Sequence, residues 1–128
     1  MCANCFVGSD TLPHIVLVVE YPNRRKTDVD FIVDTGSPTT FLSYQKAVMA
    51  EIDLSLLSHG KPHGPTVKDQ RNTRILQGVK LTIPRATTVT ADVLIFEDQD
   101  STENLLGMDL IRKLGNLVVT KTGVWFSI

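Results

Sequence analysis

The chain has 128 residues, enough for one domain with a real hydrophobic core. Its formal net charge of −1 and 42% hydrophobic content are ordinary for a globular domain, and there is no basic surplus of the kind nucleic-acid binding draws on. No apolar run approaches the ~20 residues that span a bilayer, and two cysteines are too few for a disulfide scaffold, so neither a membrane nor a nucleic acid is an expected partner.

Met1 to Pro13 has no periodicity and reads as a flexible arm, residues 1–13, ahead of a folded domain over 14–128. It has neither the basic start nor the continuous apolar core of a signal peptide, which makes a cytoplasmic, reducing location the default expectation. Cys2 and Cys5 have redox or zinc spacing, but no helical pattern follows them and no second pair is nearby, so they read as ordinary thiols. His14 to Tyr21 is a continuous β-branched run, expected as a strand buried on much of both faces. Pro22 to Arg25 is a turn, with Arg24-Arg25-Lys26 as a solvated hairpin tip. From Lys26 to Val33 the pattern alternates, with Val29, Phe31 and Val33 on one face and Asp28, Asp30 and Ile32 on the other.

That strand runs into Val33-Asp34-Thr35-Gly36-Ser37, and apolar character returns at Phe41-Leu42. Two strands joined by a tight polar turn have this pattern. The turn sets one carboxylate, Asp34, at the end of a buried strand. Gly36 lets a bare N–H approach it closely. A carboxylate so placed is either held charged by backbone donors or made to share a proton with a second acid.

Beyond Ser43, which is a ready N-cap, Tyr44, Ala47, Val48, Ile52 and Leu56 fall near helical spacing and predict a helix over roughly 44–52. Residues 58–65 are turn-rich, with Gly60, Gly64 and two prolines; Lys68 to Asn72 offers a rival turn. His59 and His63 have the spacing of two ligands on a helix face, but Gly60 and Pro62 oppose a helix there, and loop histidines are the favoured reading. Arg74–Ile83 and Thr87–Phe96 read as strands broken at Pro84-Arg85-Ala86, and Glu97 to Glu103 as a solvated acidic connection. Leu105-Leu106-Gly107 follows, then a short helix from Asp109 to Leu114 with Gly115 at its C-cap and Asp109 as a first-turn charge. Asn116 to Thr120 and Gly123 to Ile128 read as two closing strands.

The Asp34 loop with its apolar flanks, and Asn104-Leu105-Leu106-Gly107-Met108-Asp109-Leu110-Ile111 about seventy residues on, resemble the two motifs of the retropepsin-like aspartic proteases. The resemblance covers roughly residues 14 to 128. It implies a mainly β fold, a closed-barrel-like acid-protease lobe with one or two short helices that forms a twofold homodimer. With only one Asp-Thr-Gly loop, a second copy must bring the second carboxylate. Asp34 is then the catalytic acid, Thr35 bonds across the dimer, Gly36 offers a backbone contact and Ser37 hydrogen-bonds Asp34. Leu105, Leu106 and Gly107 support the loop, a flap lies within 58–74 with Gly60 and Gly64 at its tip, and the substrate is an extended polypeptide. No cofactor or metal is implied. Retroviral members usually carry an arginine after the second-motif glycine, paired with an acid just beyond the first motif. Here Met108 and Pro38-Thr39 stand in those places, so that ion pair is missing. Terminal strands commonly dimerise in this family, and Trp125 with Phe126 gives this one apolar weight.

An aspartic endopeptidase leads the readings. A dimeric binding or assembly module on the same fold comes second. A zinc-binding domain built from Cys2, Cys5, His59 and His63 comes third.

Overall fold

Local sequence rules set most of the strands. In the computed structural model, residues 13–64, 70–121 and 123–127 are described. Strand β1 (His14–Glu20) turns back into β2 (Lys26–Val33), pairing antiparallel from His14–Ile32 to Glu20–Lys26. The turn closes through Tyr21 N–H on the Arg25 carbonyl and Arg24 N–H on the Tyr21 carbonyl, both 2.8 Å, with Arg24 at φ 68°. In β2 the alternation is clean, with Val29, Phe31 and Val33 buried. β1 alternates too, correcting the expectation of burial on both faces. Ile15, Leu17 and Val19 enter the core while Val16 is 43% exposed, because only one face of this sheet is covered.

After the Asp34 loop come β3 (Phe41–Leu42), helix α1 (Tyr44–Met49) and a 3₁₀ turn at Leu54–Leu56. Ser43 caps α1, its Oγ accepting the Lys46 N–H at 3.2 Å. The helix stops at Met49, short of the expected 52. The Asn23 side chain donates to the Ala50 carbonyl at 2.8 Å and Glu51 takes φ 59°, which turns the chain out of the helix. Leu56, near helical spacing in the sequence but beyond the expected helix, lies in the 3₁₀ turn and is 82% exposed.

The long hairpin β4 (Thr73–Ile83) and β5 (Thr87–Phe96) buries Val79, Leu81, Ile83, Val93 and Ile95. Its register slips between Leu76 and Val79, at Gly78 (φ 73°). β6 (Leu105–Leu106) leads into α2 (Met108–Leu114), with Gly115 at its C-cap. The strands close in the order β1-β2-β6-β3-β5-β4, with β4 pairing back onto β1. β7 (Asn116–Val119) and β8 (Val124–Ser127) form a separate two-stranded sheet. Phe126, expected to supply surface apolar weight, is fully buried in the chain's own core; Trp125 is half-buried.

The acidic connection 97–103 is not simply solvated. Glu97 pairs with Arg74 and Asp98 with Arg71, and Ser101 is buried. No helix among the described residues is long and apolar enough to cross a membrane. Residues 1–12 of the expected arm, with Cys2 and Cys5, lie outside the described residues, as do Lys68 and Asp69 of the rival turn; Pro13 is described, and its carbonyl accepts the Val33 N–H at 2.8 Å.

Candidate active site

The Asp34 loop is held from both sides. β6 lies parallel to β2, pairing Ile32 with Leu105 and Val33 with Leu106. At the strand's end the Asp34 N–H donates to the Leu106 carbonyl at 2.9 Å, so the second motif physically supports the first. The Ser37 N–H donates to the Asp34 carbonyl at 3.1 Å, which closes the turn. Gly36 N–H donates to Asp34 Oδ1, also at 3.1 Å. A side chain at Gly36 would meet that oxygen at ordinary contact distance. Thr35 and Gly36 are exposed and Asp34 is half-buried, so the carboxylate faces open space at the surface of the chain.

Ser37 departs from the expectation. Its hydroxyl donates to the Thr39 carbonyl at 2.7 Å and not to the Asp34 carboxylate. The residue is 2% exposed, and a serine hydroxyl bonding backbone two residues on is a common turn contact.

Beneath the loop lies a clamp that sequence reasoning missed. Thr40 is fully buried. Its hydroxyl donates to Asp109 Oδ1 at 2.8 Å and accepts the Gly107 N–H at 3.0 Å, while its own N–H donates to Asp109 Oδ2 at 3.3 Å. Asp109 also receives the Leu110 N–H, keeping the first-turn role read from sequence. Met108 N–H on the Ser37 carbonyl and Asp109 N–H on the Pro38 carbonyl complete the join. A hydroxyl wedged between a polar turn and Phe41 was the available signal for Thr40. Its partner 69 residues away was not readable.

Gly107 needs to be glycine for space. A Cβ there would lie 2.8 Å from the Thr39 nitrogen and nearer still to its carbonyl. Asn104 ties three elements together: its carbonyl accepts the Ile32 N–H, its side-chain oxygen accepts the Ser43 N–H, and its Nδ2 donates to the Asp30 carbonyl.

Two clefts lie on this side of the chain, of which the second touches the loop. One, of about 660 Å³, runs along the outer face of β2 past Ile32, Asp28 and Asp30 to Glu103 and Asn104. The other, of about 340 Å³, lies against Thr35, Gly36, Pro38, Met108 and Arg112.

The segment expected to hold a flap forms two facing limbs. His59 pairs with Arg74 and His63 with Arg71. Gly60 lies within a limb, not at a tip: its N–H donates to the Thr73 carbonyl, and a Cβ there would meet Thr73 Oγ1 at 2.5 Å and Leu94 Cδ2 at 2.7 Å. Gly64, at φ 151°, is the last residue described before 65–69. His59 and His63 do not converge: the first approaches Glu97 at 3.9 Å, and the second packs its ring on Phe41. Among the described residues, no three His, Cys, Asp or Glu side chains gather where they could hold a metal ion.

Comparison with known proteins agrees with this geometry. A family profile described as aspartyl protease matches residues 23–110. The fold is similar to that of the EIAV protease, solved with the inhibitor HBY-793, at a TM-score of 0.66 and 17% identity, over 90% of this chain and 99% of that one. It is similar as well to a retropepsin-like aspartic protease from Rickettsia conorii, at a TM-score of 0.61 and 21% identity, over 87% and 88% of the two chains. A search of curated proteins found no match. With the profile spanning both the Asp34 loop and the Gly107 turn, the chain belongs to the aspartyl protease family, and it folds as a retropepsin-like member of it.

Proposed function

We propose that this protein is an aspartic endopeptidase that works as a twofold homodimer, with Asp34 of each copy meeting across the axis. The observation that carries the reading is the Asp34 loop. One carboxylate ends a buried strand, steadied by Gly36 N–H and by Leu106, and it opens outward beside a face bearing Thr35 and Gly36. One such loop per chain calls for a second copy, and the cleft against Thr35, Met108 and Arg112 is where that copy would dock.

Two carboxylates held in hydrogen-bond contact share one proton, a known property of aspartic-protease pairs. The charged member takes a proton from a water molecule as its oxygen attacks the scissile carbonyl carbon, and the protonated member gives its proton to the carbonyl oxygen. Collapse of the resulting gem-diol breaks the C–N bond, with a proton passing to the leaving amine. In this arrangement Thr35 bonds its counterpart across the axis and Gly36 contributes a backbone contact. Leu105, Leu106 and Gly107 hold the loop in place, and the limbs over 58–64 and 70–75 cover an extended peptide with Gly64 towards the tip.

The test is cleavage of a mixed peptide library from about pH 4 to 7 by the native chain and by Asp34→Asn. General acid–base groups contribute about 10²–10⁴-fold, so the variant should lose at least that much while its dimer survives. A folded, dimeric native chain that cleaves nothing would refute the proposal and favour a binding module on the same fold.

A further inference from the structure

The limbs over 58–64 and 70–75 pair through few bonds of their own. The Gly60 N–H on the Thr73 carbonyl, the Ile75 N–H on the Ser58 carbonyl, the two bonds exchanged by His63 and Arg71, and the Thr73 hydroxyl on the Lys61 carbonyl are the hydrogen bonds described between them. Their base is anchored, because Thr73, Arg74 and Ile75 pair with β5 and the Asn72 carbonyl accepts the Glu97 N–H; beyond that base two paired limbs are marginal in water, so their outer part needs a further hold.

Arg71 makes that connection. Its Nε and Nη2 fork onto Asp98 Oδ2 at 3.1 and 2.8 Å, and its guanidinium lies 3.6 Å from the centre of the Phe96 ring. Its backbone exchanges both hydrogen bonds with His63. Phe96 stacks on Phe41, with ring centres 4.6 Å apart and planes within 6°, and the His63 ring sits 4.5 Å from Phe41. Phe41 belongs to β3, which leaves the Asp34 loop and pairs with Leu105 of the second motif. Contact is therefore continuous from Arg71 to the wall that carries the candidate catalytic loop.

We propose that Arg71 is a positioning residue: it seats the hairpin on the Phe96–Phe41 wall, so that substrate binding depends on it more than the chemical step does. The part concerning substrate rests on the endopeptidase reading; the seating does not. A partly exposed ion pair contributes little to global stability, so the convergence of fork, ring and backbone on one side chain acts on hairpin placement. A lysine at 71 keeps the charge but loses the planar fork and the flat face over Phe96.

The experiment compares Arg71→Ala and Arg71→Lys with the native chain, by amide hydrogen exchange at Gly60 and His63 and by KM and kcat on a cleaved peptide. In Arg71→Ala, exchange at His63 should speed up about tenfold, the scale of losing a stacked, forked guanidinium, with a smaller rise at Gly60, whose partner Thr73 also pairs with β5. Amides of the β1–β2 hairpin should not change. KM should rise by a similar factor with kcat within about threefold, and Arg71→Lys should fall between. Unchanged exchange at His63 would overturn the seating. Faster exchange with unchanged KM would overturn the link to substrate. If the native chain cleaves no peptide, the endopeptidase reading fails by itself, and exchange at His63 still decides the seating.

Discussion

Gly107→Ala tests whether the second motif holds the first by close backbone contact. At φ −93° the backbone suits any residue, so strain comes only from the added methyl. The new Cβ would lie 2.8 Å from the Thr39 nitrogen and nearer to its carbonyl, all backbone atoms that cannot swing aside. Restoring ordinary contact means moving Thr39 by roughly 1 Å. Thr39 accepts the Ser37 hydroxyl, and the next residue, Thr40, accepts the Gly107 N–H and binds Asp109, so that movement strains three hydrogen bonds. Overpacking costs about 1–3 kcal/mol and each weakened bond about 1 kcal/mol, offset by about 0.5 kcal/mol from a stiffer unfolded chain. The net is about 4.5 kcal/mol, or roughly 15 °C of melting temperature for a domain this size. Thermal unfolding followed by circular dichroism measures it, alongside kcat on a cleaved peptide, which should fall because Asp34 hangs from Leu106, the residue before Gly107. A midpoint within about 2 °C of the native chain would refute the reasoning.

Gly78→Ala provides the contrast: nothing lies within 4 Å of a Cβ there but φ is 73°, so it should cost about 1 kcal/mol in the same melt and leave cleavage unchanged. Thr40→Val and Asp109→Asn should prove non-additive in a double-mutant cycle, with a coupling of about 1–2 kcal/mol by denaturant unfolding. Tyr21 is buried and its hydroxyl has no partner among the described residues, so Tyr21→Phe should stabilise by about 1 kcal/mol. Burial pushes the Tyr21 hydroxyl from 10.0 up to about 12, so the unfolded chain ionises first. Native stability should hold below pH 10 and fall by about 2 kcal/mol between there and pH 12, a loss that chemical denaturation at stepped pH would find missing in Tyr21→Phe.

Where a structural cause lies within a few residues, the sequence displays it. The alternation of β2, the polar turn at Asp34, the cap at Ser43 and the stop at Gly115 are all short-range, and all are found where they were read. Features that depend on distant partners were not legible. Helix α1 ends three residues early because Asn23, in the β1–β2 turn, donates to its Ala50 carbonyl, and neither residue signals this alone. Gly60 looked like a turn residue, yet it sits within a limb, where the Thr73 and Leu94 side chains crowd the space a Cβ would take. Phe126 looked like surface apolar weight, but the space its ring fills exists only once the barrel has closed. The missing arginine after Gly107 is the sharpest case. Read along the chain, Met108 breaks an ion pair that would join the two motifs. In the fold, Asp109 makes the join one position later, reaching Thr40 through its hydroxyl and its backbone. Within this chain a neutral hydroxyl and a carboxylate thus join the two motifs. Met108, partly buried against the core, lines the cleft beside Thr35 with an apolar side chain where the retroviral pattern has a charge.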